Sequence, residues 1–419
     1  MQTTGQEDTA PNADMASAGL SIPVPAACVD RMGYQPQGEK IVIFQGGDLP
    51  DTFALVDAET DSVVYTGSIQ KKGNDEEDTE YNGYGDFSAY GKTGQYYIRT
   101  DTYGESYPFL IHDNLYDSLF QYTCKELYQR KDTKEREMSP SAEPVTDSAL
   151  VLYRLLLSYE MFPEVHAEAG EPAESANEIP DLLDLCKAEA EFLMMQEPAS
   201  GDSGIYQAAA LAKYAYLTRS LDQEFAGACL KAAESAWKDA CEDLFVSDDL
   251  VSMAASELYR LTGSRQYLGL AEEYLRAATE TTEDLSDAEF YAAVTYMNTR
   301  STVDMELCDA LIRKIMEEAE YIAEQSRQSA FLVCGESSDT DTLLQQAGRL
   351  CVVNHIITNH EYGTVIDNHL HYLLGRNAES ICHIAWWEQP AGPGDEAGQD
   401  GAQMAAVFFL LSERKSHEG

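Results

Sequence analysis

The chain has 419 residues, 44% of them hydrophobic, enough for two or three domains with buried cores. Its 73 acidic residues against 28 basic ones give a formal net charge of -45. A surface of that sign repels polyanions, which excludes nucleic acid as a partner and disfavours anionic membranes, while an uncharged polysaccharide meets no such barrier.

In chain order, residues 1–26 are polar and rich in Ala and Asp, and read as a disordered leader or tether. No secretory signal is visible at Met1, although removal of a signal further upstream would leave the same start. Residues 27–115 read as β. Lys40-Ile41-Val42-Ile43-Phe44 is a strand stopped by Gly46-Gly47. The stretches 52–56, 62–65, 94–99 and 108–111 are further short strands divided by turn residues. Strands of this length and spacing predict a sandwich of immunoglobulin type. The acidic run Asp75-Glu76-Glu77-Asp78 is a solvated loop, and residues 116–144 are expected to be a linker.

From about Val145 the period changes to 3.6, with Ala149, Leu152, Leu155, Leu156 and Tyr159 on one stripe. Similar segments lie near 180–196, 205–219, 222–242, 249–263, 266–279, 286–299, 303–323, 341–358, 361–375 and 402–413. Short links between about eleven helices predict antiparallel hairpins over 145–415, and Gly263 and Gly375 mark two helix stops. The helices share no repeated motif, which favours a closed α/α ring over a solenoid. No apolar run reaches the length of a membrane span.

Nine cysteines are scattered without CxxC spacing, which argues against a zinc knuckle or redox pair, and an odd number cannot all pair. His369 and His371 lie two apart and face different sides of a helix, so they make poor co-ligands, and no EF-hand loop is present.

Several stretches carry a family resemblance. Val29-Asp30-Arg31-Met32-Gly33-Tyr34-Gln35-Pro36, Tyr84-Gly85-Asp86-Phe87-Ser88 and Gly94-Gln95-Tyr96-Tyr97 resemble strands of the immunoglobulin-like domain that precedes many family 9 glycoside hydrolases. Ile179-Pro180-Asp181-Leu182-Leu183-Asp184, Ala254-Ala255-Ser256-Glu257-Leu258-Tyr259-Arg260-Leu261-Thr262-Gly263 and His371-Tyr372-Leu373-Leu374-Gly375-Arg376-Asn377 are similar to helices of that family's barrel. The resemblance implies an immunoglobulin-like β-sandwich followed by an (α/α)6 barrel. It also implies a cellulase or endoglucanase activity, the inverting hydrolysis of β-1,4-glucan, in an extracellular or cell-surface setting. No cofactor is implied, although acidic loops could hold a structural calcium as in many relatives. A monomer is expected.

An inverting glycosidase needs one carboxyl group as acid and another as base across the scissile bond. The family carries its base aspartates in a segment that precedes the first barrel helix by a fixed distance. Counting back from Leu155-Leu156-Leu157-Ser158-Tyr159-Glu160 places the first at Glu137 and the usual base at Pro140, which has no proton acceptor. The stretch 116–144 would then hold the remnant of a catalytic loop. Glu137 sits among Lys131, Lys134, Glu135 and Arg136, which also fits a solvated charged linker. Asp132 or Asp147 could substitute as base, but Asp147 reads better as an N-cap or first-turn residue.

The family's proton donor is a Glu in the loop before the last helix, and Glu396 is the positional match, although a loop acid at a helix N-terminus fits as well. Tyr206 falls in a substrate-side loop. His383 could hydrogen-bond sugar hydroxyls, and Trp386 and Trp387 could stack on a pyranose ring or simply plug the barrel end. Three readings follow. The first is a degenerate barrel that binds polysaccharide with weak or no hydrolysis. The second is an active inverting endoglucanase with Glu396 as acid and Glu137 or another nearby carboxylate as base. The third is a structural helical domain.

Overall fold

The computed structural model describes residues 25–73, 81–132, 143–168, 181–196, 201–242, 246–335, 339–384 and 401–417. Nine strands come first: β1 (Ala27–Cys28), β2 (Gly33–Tyr34), β3 (Ile41–Gly46), β4 (Thr52–Asp57), β5 (Ser62–Gly73), β6 (Tyr81–Asp86), β7 (Gly94–Thr100), β8 (Gly104–Glu105) and β9 (Phe109–Ile111). They form the expected immunoglobulin-like sandwich. One sheet runs β1-β3-β6-β5 and the other β5-β4-β7-β9-β2, with β8 on β7. The long β5 belongs to both: residues 62–68 pair with β4, and 69–73 pair with β6. Phe53 fills the core beside the crossing, and Gly67 and Gly85 leave room for its ring, because a Cβ on either would fall 2.5–2.6 Å from a ring atom.

The apolar run in β3 has a specific cause. Val42 and Phe44 enter the sandwich core, while Ile41 and Ile43 join the core of the helical domain. Alternate residues point to opposite faces, and here both faces are buried, so the strand is apolar throughout.

Thirteen helices follow among the described residues. They are α1 (Leu115–Asp132), α2 (Glu143–Met161), α3 (Pro163–Glu168), α4 (Asp181–Met195), α5 (Gly201–Thr218), α6 (Gln223–Ala240), α7 (Asp248–Thr262), α8 (Arg265–Glu280), α9 (Asp287–Met297), α10 (Met305–Gln328), α11 (Thr340–Ile356), α12 (His360–Leu373) and α13 (Gly401–Ser416). Helices α2, α5, α7, α9, α11 and α13 form an inner ring, and α1, α4, α6, α8, α10 and α12 pack outside it, so the ring is an (α/α)6 barrel. Burial follows this division. Nearly every residue from Leu250 to Arg260 of α7 is out of water, whereas outer α8 buries only Tyr267, Ala271, Leu275 and Ala278 along one stripe.

The stretch expected as linker is instead largely helix. Leu115, Leu119, Phe120 and Leu127 of α1 are buried at helical spacing, and Phe120 stacks on Phe408 of α13 at 5.1 Å. Its apolar positions are sparse among polar ones, so the pattern is faint in sequence. The short α3 was not expected either. The leader up to residue 24, and the Asp75–Asp78 run, lie outside the described residues.

The two domains share a buried seam. The Arg31 amide donates to the Leu374 carbonyl at 2.9 Å, and the Tyr84 hydroxyl to the Ala330 carbonyl at 2.9 Å. Asp30 accepts the Met32 and Gly33 amides and lies 2.7 Å from His371 Nδ1. Burial pushes the Asp30 carboxyl up and the His371 imidazole down. His369 turns the other way, to the Val365 carbonyl. Gly375, with φ of +117°, ends α12 where a Cβ would sit 2.8 Å from the Arg31 side chain, so both its conformation and its neighbour require glycine. Gly263 closes α7 in the same left-handed region.

Candidate functional site

The N termini of the inner helices gather at one end of the barrel. Each brings acidic or amide groups to its first turns: Asp147 on α2, Asp202 on α5, Asp248 and Asp249 on α7, Asp287 on α9, Asp341 on α11 and Gln403 on α13. Carboxylates there oppose the positive end of the helix dipole. Many reach sideways to the next helix. Asp147 Oδ1 accepts the Ala402 amide at 2.9 Å, capping α13 rather than its own helix, while Arg154 donates to the Ala402 carbonyl at 2.6 Å. The Thr146 and Ser203 hydroxyls are 2.9 Å apart. Asp202 accepts both the amide and the hydroxyl of Ser247 at 2.9 Å. Arg349 donates to the Leu285 carbonyl at 2.7 Å and to Asp287 at 3.0 Å, and Gln403 donates to Asp341 at 3.0 Å. The result is a polar belt around the open end.

Tyr206, expected in a loop, lies instead in the second turn of α5, inside this belt. Burial, helped by Asp287 and Asp249, pushes its phenol up to about 12, so it is a neutral hydroxyl that can both donate and accept. His383 is placed elsewhere. Its amide donates to the Leu373 carbonyl at 2.7 Å, and its ring lies parallel to Tyr372 with centroids 6.1 Å apart. It follows α12, which covers α11, and α11 lies across the inner ring from α5. Tyr206 and His383 therefore stand on opposite sides of the mouth. Glu137, Glu396, Trp386 and Trp387 lie outside the described residues, as does Pro140. Among the described residues no three His, Cys, Asp or Glu side chains gather as metal ligands, so no calcium site is drawn.

The other end of the inner ring holds a charge cluster that sequence reasoning missed. Lys213 donates to Glu160 at 2.7 Å and lies 3.4 Å from Glu257. Arg260 donates to Glu160 at 2.5 Å and to Glu257 at 2.7 Å. Tyr153 and Thr295 add hydrogen bonds to Glu257 at 3.0 and 2.9 Å. Burial alone would raise the Glu160 carboxyl, but the Lys213 ammonium and Arg260 guanidinium outweigh it and hold it at about 2. A void of about 10 Å³ lies against these groups, room for one water at most. The available signal was a lone charge inside an apolar run: Lys213 in Ala208-Ala209-Ala210-Leu211-Ala212-Lys213, and Glu160 at the end of the α2 stripe.

An immunoglobulin-like sandwich packed on an (α/α)6 barrel with a polar mouth defines a two-domain architecture shared with known polysaccharide hydrolases. Residues 24–105 match the cellulase N-terminal ig-like domain, and residues 195–386 match glycosyl hydrolase family 9. The family 9 match covers 192 of the 419 residues, a little under half of the chain. It is similar to Endoglucanase D of Acetivibrio thermocellus, 22% identical over 312 residues that cover 57% of this chain and 48% of that one. The chain thus spans about half the length of the curated relative it matches. The matched 57% of this chain is shorter than the 312 aligned positions, so the relative carries segments that this chain lacks. Among solved structures, a family 9 protein of Bacteroides ovatus superposes with a TM-score of 0.73 at 17% identity, covering 94% of this chain and 99% of that one. A metagenome-derived family 9 endoglucanase gives 0.72 at 19% identity, covering 92% and 98%. At these identities the superpositions speak for the fold.

Proposed function

We propose that this chain binds β-1,4-glucan-type polysaccharide at the open end of its barrel and hydrolyses it weakly or not at all. The observation that carries this reading is where the family match stops. It spans residues 195–386 and includes neither the segment aligned with the base aspartates nor Glu396. The matched stretch belongs to the scaffold, whereas the two segments proposed to carry acid and base lie outside it. The counted base position is Pro140, and without a base the attacking water cannot be activated. Sugar binding needs less. Tyr206 and the belt carboxylates supply donors and acceptors suited to hydroxyl groups. An extracellular or cell-surface location would suit a polymeric ligand.

One observation favours an active enzyme as the second reading. Asp147 accepts the amide of Ala402 in the first turn of α13, and Ala402 follows Glu396 by six residues in the chain. Asp147 could act as replacement base, with Glu396 protonating the leaving oxygen.

Reducing-sugar release from soluble β-glucan separates the two. We expect release at or near the blank for the native chain. Sustained turnover that disappears in Glu396→Gln and in Asp147→Asn would overturn the proposal and establish the second reading. Calorimetry with cello-oligosaccharides should show binding. The absence of heat with any of them would leave only a structural role.

A further inference from the structure

The seam between the domains holds an open groove of about 660 Å³, lined by none of the residues proposed above to bind glucan. That volume lies within the roughly 300–1,000 Å³ of small-molecule clefts. Gln45 of β3 forms one wall, Gln325 and Gln328 at the end of α10 form another, and Tyr372 and Glu379 close the far side. Outer helices run opposite to inner ones, so the ends of α10 and α12 put the groove at the same end of the barrel as the polar belt.

The lining chemistry is selective. No Lys, Arg or His is among the described lining residues, Lys72 at the rim is already bonded to the Arg327 carbonyl at 3.0 Å, and the chain carries a net charge of -45, so an anion is disfavoured. Polar groups interrupt the wall, so a purely apolar ligand would leave them dry. The Gln45 and Gln325 side chains make no hydrogen bond within the described residues, although both are half-buried. An amide offers two donors and an acceptor, which matches a hydroxyl that also donates and accepts. The Tyr372 ring is held by parallel His383 and by Phe331, edge-on at 5.9 Å, so this part of the wall is fixed before binding.

We propose that this groove binds a neutral oligosaccharide segment, with Gln45 of the sandwich and Gln325 of the barrel hydrogen-bonding its hydroxyls. The immunoglobulin-like domain would then be part of the glycan-binding surface. This rests on the reading of the chain as a β-glucan binder.

The test uses the full chain and cellohexaose. Calorimetry compares the native chain with Gln45→Ala/Gln325→Ala, and hydrogen exchange follows residues 325–333 of the native chain with and without the hexamer. The expected result is weakening by about five-fold for each lost hydrogen bond, an unchanged melting temperature, and slowed exchange in 325–333. Binding that the double variant leaves intact, with unaltered exchange in 325–333, overturns the groove and spares the wider reading. Failure of the native chain to bind cellohexaose at all overturns both.

Discussion

At the closed end of the barrel, Glu160 on α2, Lys213 on α5 and Glu257 and Arg260 on α7 bind one another almost entirely out of water. At the open end, the carboxylates Asp147, Asp202, Asp287 and Asp341 are exposed or half-buried, and each ties one helix to a neighbour. Three helices meet in a shared knot at one end, whereas the other is held by separate links. Loss of one link at the open end leaves the rest intact, so loops there can shorten or lose a catalytic group while the barrel stands. The closed end has no such freedom, because each buried charge depends on its partners.

The sharpest way to break this comparison is Glu257→Ala. It leaves Lys213 and Arg260 buried with half their countercharge, and removal of one partner from a buried ionic cluster costs about 3–5 kcal/mol. Urea unfolding should show a loss of that size. A loss below about 1 kcal/mol would mean that water reaches the cluster and that the two ends are alike.

A titration sharpens the same contrast. Burial pushes His166 and His369 down to about 4, from an ordinary value of 6.5. The unfolded chain therefore binds protons that the folded chain refuses, and stability falls as pH drops from about 6.5 to 4. Each histidine contributes up to about 3 kcal/mol to that fall. Glu160, held at about 2, acts later: its stabilisation is complete above about 4.5 and is lost as pH falls through 2. Melting temperatures between pH 7 and 2 should thus decline in two stages. His166→Asn should reduce the first stage and leave the second. A single decline centred below pH 4 would show that the histidines titrate freely.

Much of the barrel was legible because its inner and outer helices carry different patterns. The eleven expected helices each have an observed counterpart, since an apolar stripe with Ser286 or Asp304 at its start and Gly263 at its end is a local signal. The sandwich was read from its alternating strands, but β6 was found only through its resemblance, because Gly83 and Gly85 thin its apolar content. The site was far less legible. The belt is built from first-turn aspartates, which every soluble helix favours. Its meaning lies in which neighbour each one reaches, as with Asp147 and Ala402, 255 residues apart. Likewise, the pairing of Glu160 with Arg260 spans 100 residues, a separation no periodicity encodes.

The smallest expected effect tests whether the open end is a set of independent links. Asp202→Ala removes the acceptor for the Ser247 amide and hydroxyl at the start of α7, and loss of a helix-terminal acceptor costs about 0.5–1 kcal/mol. Ser247 and Glu257 are ten residues apart in the chain, hence about 15 Å along the helix axis. Changes that far apart with no shared partner add within about 0.5 kcal/mol. The double variant Asp202→Ala/Glu257→Ala should therefore lose the sum of the two single losses. A clear excess or deficit would mean that α7 carries strain from mouth to knot, and the two ends would not be independent.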